Sequence, residues 1–277
     1  MGKEKRSGCC ADELMALVSG ERVTVSVEER VAVVTIDHRP VNALDQQTLQ
    51  ELGQVVDAIR DEADVKVVVL TGAGSLAFVA GADLNAIGKL GTADAAKALA
   101  ALGQAVFLKI QRLPKPVLAA INGVCLGGGL ELAMACHLRI SGDRAWFGQP
   151  EVNLGIIPGW GGTQRLPRLI GKSKATEWIL TGEMVQAQEA LRLGLVNQVV
   201  PQDQVLKAAR DLARKIASKS AVAVRQALAA IEEGLQGSLE QGLIKEAEAF
   251  GVVAASEDSK EGVKAFLEKR QPRFTDR

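Results

Sequence analysis

Residues Ile121 to Arg165 constrain this chain more than any other stretch. They hold two glycine clusters, Gly127-Gly128-Gly129 and Gly159 with Gly161-Gly162, and two glutamates, Glu131 and Glu151, each beside a glycine- or proline-marked turn. Val117 to Ile121 is apolar on both faces and bounded by Pro116 and Asn122-Gly123, the pattern of a buried strand. The triple glycine lets the backbone turn sharply and approach another group closely. Leu130 to Cys136 carries good helix formers and predicts a helix. A helix start then lies beside Glu131, with unbonded N–H groups and the positive end of the helix dipole. Such an arrangement can hold negative charge developing on an oxygen.

The flanking sequence says what this stretch is embedded in. Val23 to Val27 and Val31 to Ile36 alternate around Glu28-Glu29-Arg30 and predict a hairpin. Asp45 is placed to cap a helix running through Arg60. Val65 to Leu70 predicts a strand, Gly74 to Gly81 a loop, and Thr92 to Arg112 a helix. Beyond the central stretch, Leu138 to Ser141 predicts a short strand. Helices are expected over 161–169, 172–180 and 187–193, the last closed by Gly194. Val196 to Val200 reads as a final strand, and from Pro201 onward the pattern is helical only. The order predicts an α/β core over residues 21–200, a helical region over 201–277, and a flexible leader over 1–20.

Composition removes several functions. Lys plus Arg equals Asp plus Glu at 33 each, so bulk charge gives no reason to expect a nucleic-acid or membrane partner. No apolar run is long enough to span a bilayer, and the first residues lack the apolar segment of a secretory signal. Four cysteines, Cys9, Cys10, Cys125 and Cys136, show no CxxC spacing and read as reduced thiols of a cytoplasmic protein. Two histidines, His38 and His137, are too few for a histidine-rich metal site, and a G-x-S-x-G elbow is absent.

Read in order, several motifs resemble the crotonase superfamily, and within it the enoyl-CoA hydratases. They are Pro40-Val41-Asn42-Ala43-Leu44, Ala80-Gly81-Ala82-Asp83-Leu84, and Asn122-Gly123 through Gly127-Gly128-Gly129-Leu130-Glu131-Leu132-Ala133. Phe147-Gly148-Gln149-Pro150-Glu151, Ile157-Pro158-Gly159 and Gly161-Gly162-Thr163-Gln164-Arg165-Leu166 follow, and Glu261 to Arg270 closes the set. The resemblance covers roughly residues 22 to 277. It implies an α/β fold, a crotonase-like spiral of ββα turns with a C-terminal helical trimerisation region over 201–277. It also implies a homo-oligomer, a trimer or a dimer of trimers, acting on acyl-CoA thioesters. No metal or redox cofactor is implied, coenzyme A being part of the substrate.

By the same resemblance, the backbone N–H groups of Ala82 and Gly128 hold the thioester oxygen, and Glu131 and Glu151 are the catalytic pair. Water adding across a 2,3-enoyl thioester sends charge to that oxygen as an enolate, which two fixed donors stabilise beyond the ground state. Neighbouring, desolvated carboxyls have pKa values pushed apart, so one can act as base while the other carries a proton. Glu131 is assigned as the base on water and Glu151 as the acid that protonates the α-carbon; one water relaying both events is also compatible. Gly159 matches a position that helps place the water. Ala43, Ala80, Asp83 and Leu84 lie in the matching segments and are expected against the substrate. Trp160, between Gly159 and Gly161, is expected to fill part of the acyl space, and Lys269 to meet the CoA phosphates. Asn85-Ala86 stands where many relatives carry Lys-Glu, and His137 where relatives often carry Asp. Competing readings are an enoyl-CoA isomerase, which needs one carboxylate only, a hydratase for a branched acyl-CoA, and a nucleic-acid-binding protein on the same fold.

Overall fold

The computed structural model describes residues 19–89 and 91–277. Nearly all of the expected leader, with Cys9 and Cys10, lies outside the described residues. Two sheets organise the rest. The larger takes β1 (Val23–Glu28), β2 (Val31–Ile36), β3 (Val67–Gly72), β5 (Val117–Ile121), β7 (Leu138–Gly142) and β10 (Gln198–Val200), in that spatial order. Its first pair is the expected hairpin, antiparallel with Val23 opposite Ile36, and the other pairs are parallel. The strands β3 and β5 are buried along their whole length, which is why they read as continuous apolar runs instead of alternating ones.

The smaller sheet is built from β4 (Ala77–Val79), β6 (Val124–Leu126), β8 (Trp146–Gly148) and β9 (Met184–Gln186). Each strand is three residues long, too short to carry a readable period. Sequence reading missed all four, and β4 corrects the loop expected over 74–81. Together the sheets reveal a repeat: β3 leads to β4, β5 to β6, and β7 to β8, each long strand handing on to a short one in the second sheet. This is the spiral of ββα turns that the crotonase resemblance implied.

Helices fill the remaining layers. They are α1 (Gln46–Asp61), α2 (Leu84–Gly88), α3 (Ala93–Gln111), α4 (Gly128–Ala135), α5 (Gly162–Ile170), α6 (Lys172–Thr181) and α7 (Ala187–Arg192). The Asp45 side chain accepts the Thr48 N–H at 2.8 Å and fixes the start of α1, as its sequence predicts. Thr92 caps α3 in the same way. The helix α4 begins at Gly128, two residues earlier than expected, so Glu131 sits within its first turn. At its far end Arg139 donates to the carbonyls of Ala133 and Cys136, which helps complete the terminus. A second core beneath the large sheet is closed by α8 (Val205–Ala217), which packs Val205, Ala209 and Ala213 against Val67, Val69 and Leu118. The chain ends in α9 (Ala221–Gly234), α10 (Leu239–Ala254) and α11 (Glu257–Leu267).

Candidate active site

The small sheet decides where the chemistry can be. Its strands β4, β6 and β8 lie side by side in parallel, with Ala77 opposite Val124 and Leu126 opposite Gly148. The residues that follow each strand therefore emerge together at one edge. After β4 comes Ala80-Gly81-Ala82, after β6 Gly127-Gly128, and after β8 Gln149-Pro150-Glu151. Segments about 20 to 70 residues apart in the chain are thus brought to one place by backbone pairing.

Two donors face this place. A parallel bridge between Leu44 and Ala82 uses the Gly81 carbonyl and the Asp83 N–H, and with the Ala80 N–H donated to the Val41 carbonyl it pairs the segments that carry Ala43 and Ala80. The Ala43 carbonyl accepts the His38 ring at 2.6 Å. Among the described residues, no hydrogen bond takes up the N–H of Ala82 or of Gly128, the latter being the first residue of α4. The Ala82 nitrogen is 3.5 Å from where a Cβ on Gly128 would stand. Such a Cβ would also come within 2.5 Å of the Trp160 indole, so only glycine permits this packing. The same indole occupies the space over Gly103 in α3. Trp160 is thus wedged between a helix and the donor loop, 5% exposed, with its ring N–H donated to the Leu99 carbonyl at 3.2 Å. Phe107 meets it edge-on at 5.8 Å between ring centroids.

Both glutamates are nearby and strongly perturbed. Glu131 is 1% exposed, and its Oε1 accepts the N–H of Trp160 at 2.8 Å and of Gly162 at 2.6 Å. Burial pushes its pKa up to about 7, against the pull of those two donors and of the Arg165 charge. Glu151 lies half-buried in a short 3-10 turn, Pro150–Leu154. Burial pushes it up to about 7 as well, and the charge of Glu131 acts in the same direction. The wholly buried Gln149 brings its amide to 3.0 and 3.2 Å from the two Glu151 oxygens and, with its nitrogen turned toward them, donates to both. Of the pair, Glu131 with its two backbone donors is the better carboxylate. Glu151, facing that charge, is the better holder of a proton.

An apolar cavity of about 380 Å³ adjoins the first of these donors, Ala82. Ala82, Asp83, Ile87, Leu99, Leu102 and Trp160 are among the residues lining it. The Asp83 carboxylate accepts the Asn85 N–H at 2.8 Å and starts α2, whose first residue, Leu84, is exposed. Gly159 accepts the Gln104 side chain on its carbonyl at 2.8 Å. Lys269 stands apart: it is exposed, two residues past the end of α11, and lines no part of this cavity. His137 is structural. Its Nδ1 accepts the Val117 N–H at 2.9 Å and its Nε2 meets the Gln111 carbonyl at 3.1 Å, while burial lowers its pKa. Among the described residues, no group of three or more His, Cys, Asp or Glu side chains is placed to hold a metal ion.

Gln149 and Arg165 stand inside the motifs with no sequence mark of their contacts, and Gly103 lies outside the motifs altogether. A glycine inside an otherwise favourable helix was the available signal, since it costs about 1 kcal/mol against alanine unless something packs closely there.

Comparison with known proteins agrees with this geometry. The chain matches the family described as enoyl-CoA hydratase/isomerase over residues 26–277. It is 46% identical over 255 residues to a crotonyl-CoA hydratase of Syntrophomonas wolfei, covering 92% of this chain and 98% of that one. A short-chain-enoyl-CoA hydratase of Clostridium acetobutylicum is also 46% identical, over 250 residues, covering 90% of this chain and 95% of its own length. The crystal structure of an enoyl-CoA hydratase from Bacillus anthracis superposes with a TM-score of 0.90 at 41% identity, covering 93% of this chain and all of that one, 100%.

Proposed function

The chain belongs to the enoyl-CoA hydratase/isomerase family and is an enoyl-CoA hydratase, and from that premise we propose how its site hydrates a 2-enoyl-CoA thioester. The thioester oxygen accepts the N–H groups of Ala82 and Gly128, the acyl chain enters the cavity beside Trp160, and water lies between Glu131 and Glu151. Glu131 takes a proton from that water as it attacks the β-carbon. Charge moves to the thioester oxygen as an enolate, where the two fixed donors stabilise it. Glu151 then delivers a proton to the α-carbon, giving the 3-hydroxyacyl-CoA. The observation that carries this reading is the convergence, at one edge of the small sheet, of two unbonded N–H groups and two carboxyls with raised pKa values. No metal or redox group is needed, because the enolate charge is met by N–H dipoles and the protons by carboxyls.

Short acyl groups suit the cavity, whose volume of about 380 Å³ lies at the small end of ligand sites and whose wall is the immobilised Trp160. The relatives named for crotonyl-CoA and short-chain substrates support the same choice. The working form is a homo-oligomer, a trimer or a dimer of trimers, joined through the C-terminal helices. Supporting this, α9 and α10 enclose an apolar groove of about 590 Å³, and Leu235 and Phe250 beside it are 83% and 73% exposed. Lys269 is assigned to the CoA phosphates of a neighbouring subunit, and the buried thiols Cys125 and Cys136 suit the cytoplasm. The test is loss of the enoyl absorbance on a panel of 2-enoyl-CoA esters from four carbons upward. The expected result is hydration with the highest kcat/KM at the short end. Failure to hydrate any member would refute the reading.

A further inference from the structure

Behind Glu131 runs a chain of contacts that ends on the C-terminal helices. The Arg165 guanidinium, in the first turn of α5, donates through Nη1 to the Trp160 carbonyl at 2.9 Å and through Nε to the Gln111 Oε1 at 3.0 Å. Gln111, the last residue of α3, donates its Nε2 to Glu232 of α9 at 3.0 Å. The main chain of Gln111 is fixed as well, because its carbonyl meets the His137 ring. Glycine at 161 is required here, since its φ is +114° and a Cβ would overlap the Arg165 Nη1. The loop is therefore built around the guanidinium.

The residue whose carbonyl Arg165 grips is the one whose N–H reaches the base. The carbonyl of Trp160 goes to Arg165, and its N–H goes to Glu131. We infer that Arg165 is a positioning residue for Glu131: seated on Gln111 and through it on Glu232, it fixes the main chain at Trp160 and sets a positive charge near the carboxylate. This rests on the two-carboxylate reading above and extends it to the helical tail, which then supports the base as well as offering an assembly surface. The charged and titratable groups facing this assembly are few. Glu131, Cys136 and Glu232 act on Arg165, Arg165 acts on Glu131, and Glu131 acts on Glu151. Arg139, behind Cys136, is occupied by the carbonyls of Leu195, Ala133 and Cys136, and His137 is held between Val117 and Gln111.

The sign follows from the charge. A cation beside Glu131 favours its ionised form, so removing it should make the base harder to deprotonate. The experiment is the pH profile of kcat on a four-carbon 2-enoyl-CoA for the wild type, Arg165→Met and Arg165→Lys. Arg165→Met is expected to move the acid limb up by about one pH unit, the low end for loss of a neighbouring charge, with about tenfold lower kcat below the midpoint and little change in KM. Arg165→Lys should bring the limb back, which a purely structural role would not do. Gln111→Leu leaves the charge in place but removes its seat, and should lower kcat severalfold without moving the limb; it decides the matter if Arg165→Met does not fold. An acid limb in folded Arg165→Met that coincides with the wild type, or wild-type kcat in Gln111→Leu, would overturn the inference. A wild type that hydrates none of the esters would instead sink the parent reading, before any variant is measured.

Discussion

Glu131 and Glu151 differ less in how far burial lifts them than in what surrounds them. One oxygen of Glu131 is committed to two backbone N–H groups, while Glu151 relies on the Gln149 amide and faces its neighbour's charge. If both move protons in one step, Glu131→Gln and Glu151→Gln should each lower kcat for hydration by roughly 10²–10⁴-fold, the usual worth of a positioned acid or base. The double variant should lose less than the product of the singles. Near wild-type turnover in either single variant would rule out the paired mechanism; an isomerase would tolerate one of them. Stability should carry a second mark of the same burial. Folded-state pKa values near 7 lie above the 4.3 of a free glutamate, so the protonated forms are the ones that suit the fold. Their contribution is full below about pH 4 and is lost as pH rises through 7. Glu151→Gln cannot ionise, and should therefore raise Tm at pH 8 by about 2–4 °C, the effect of about 1 kcal/mol after discounting for residual exposure. At pH 4 it should leave Tm unchanged. Equal melting of the two proteins at pH 8 would contradict this account.

The elements that a sequence announces are those long enough to show a period. The hairpin of β1 and β2, the capped helices α1 and α3, and the buried strand β5 all stand where their patterns put them. Three-residue strands carry no pattern of their own, and they exist because a neighbouring turn of the spiral offers them a partner. The consequence for function is direct, since that unread sheet gathers Ala82, Gly128 and Glu151 at one edge. The motifs named the residues, but only the pairing of β4, β6 and β8 explains why they meet. Long-range side-chain links such as Gln111 to Glu232, 121 residues apart, leave no local trace in sequence at all. At this scale Trp160 is a joint between α3 and the donor loop. Replacing it with alanine removes the cavity wall, and should shift relative kcat/KM toward longer or bulkier acyl chains. A chain-length profile that does not change would show that the indole serves packing alone.

Across the whole molecule, the chain divides its apolar surface unevenly. The larger sheet buries its own within the chain, whereas the C-terminal helices and the turn after α9 leave Ile231, Leu235, Leu239, Phe250, Phe266 and Leu267 open. A monomer rarely leaves so much apolar surface uncovered. Sedimentation velocity should therefore find a trimer or hexamer, and Phe250→Asp should yield smaller species. A single 29.3 kDa species of the wild type at micromolar concentration would count against it. The wedge at Trp160 also bears on how such a protein can change over evolutionary time. In the proposed mechanism peptide N–H holds the enolate, a group every residue but proline carries, and position 128 must in addition stay glycine to seat Trp160. What would limit the acyl group, on the same proposal, is side chain: Ile87, Leu99, Leu102 and Trp160 line the cavity. Inheritance can thus redraw the diet of the site one residue at a time, while the reaction it performs is passed on intact in the backbone.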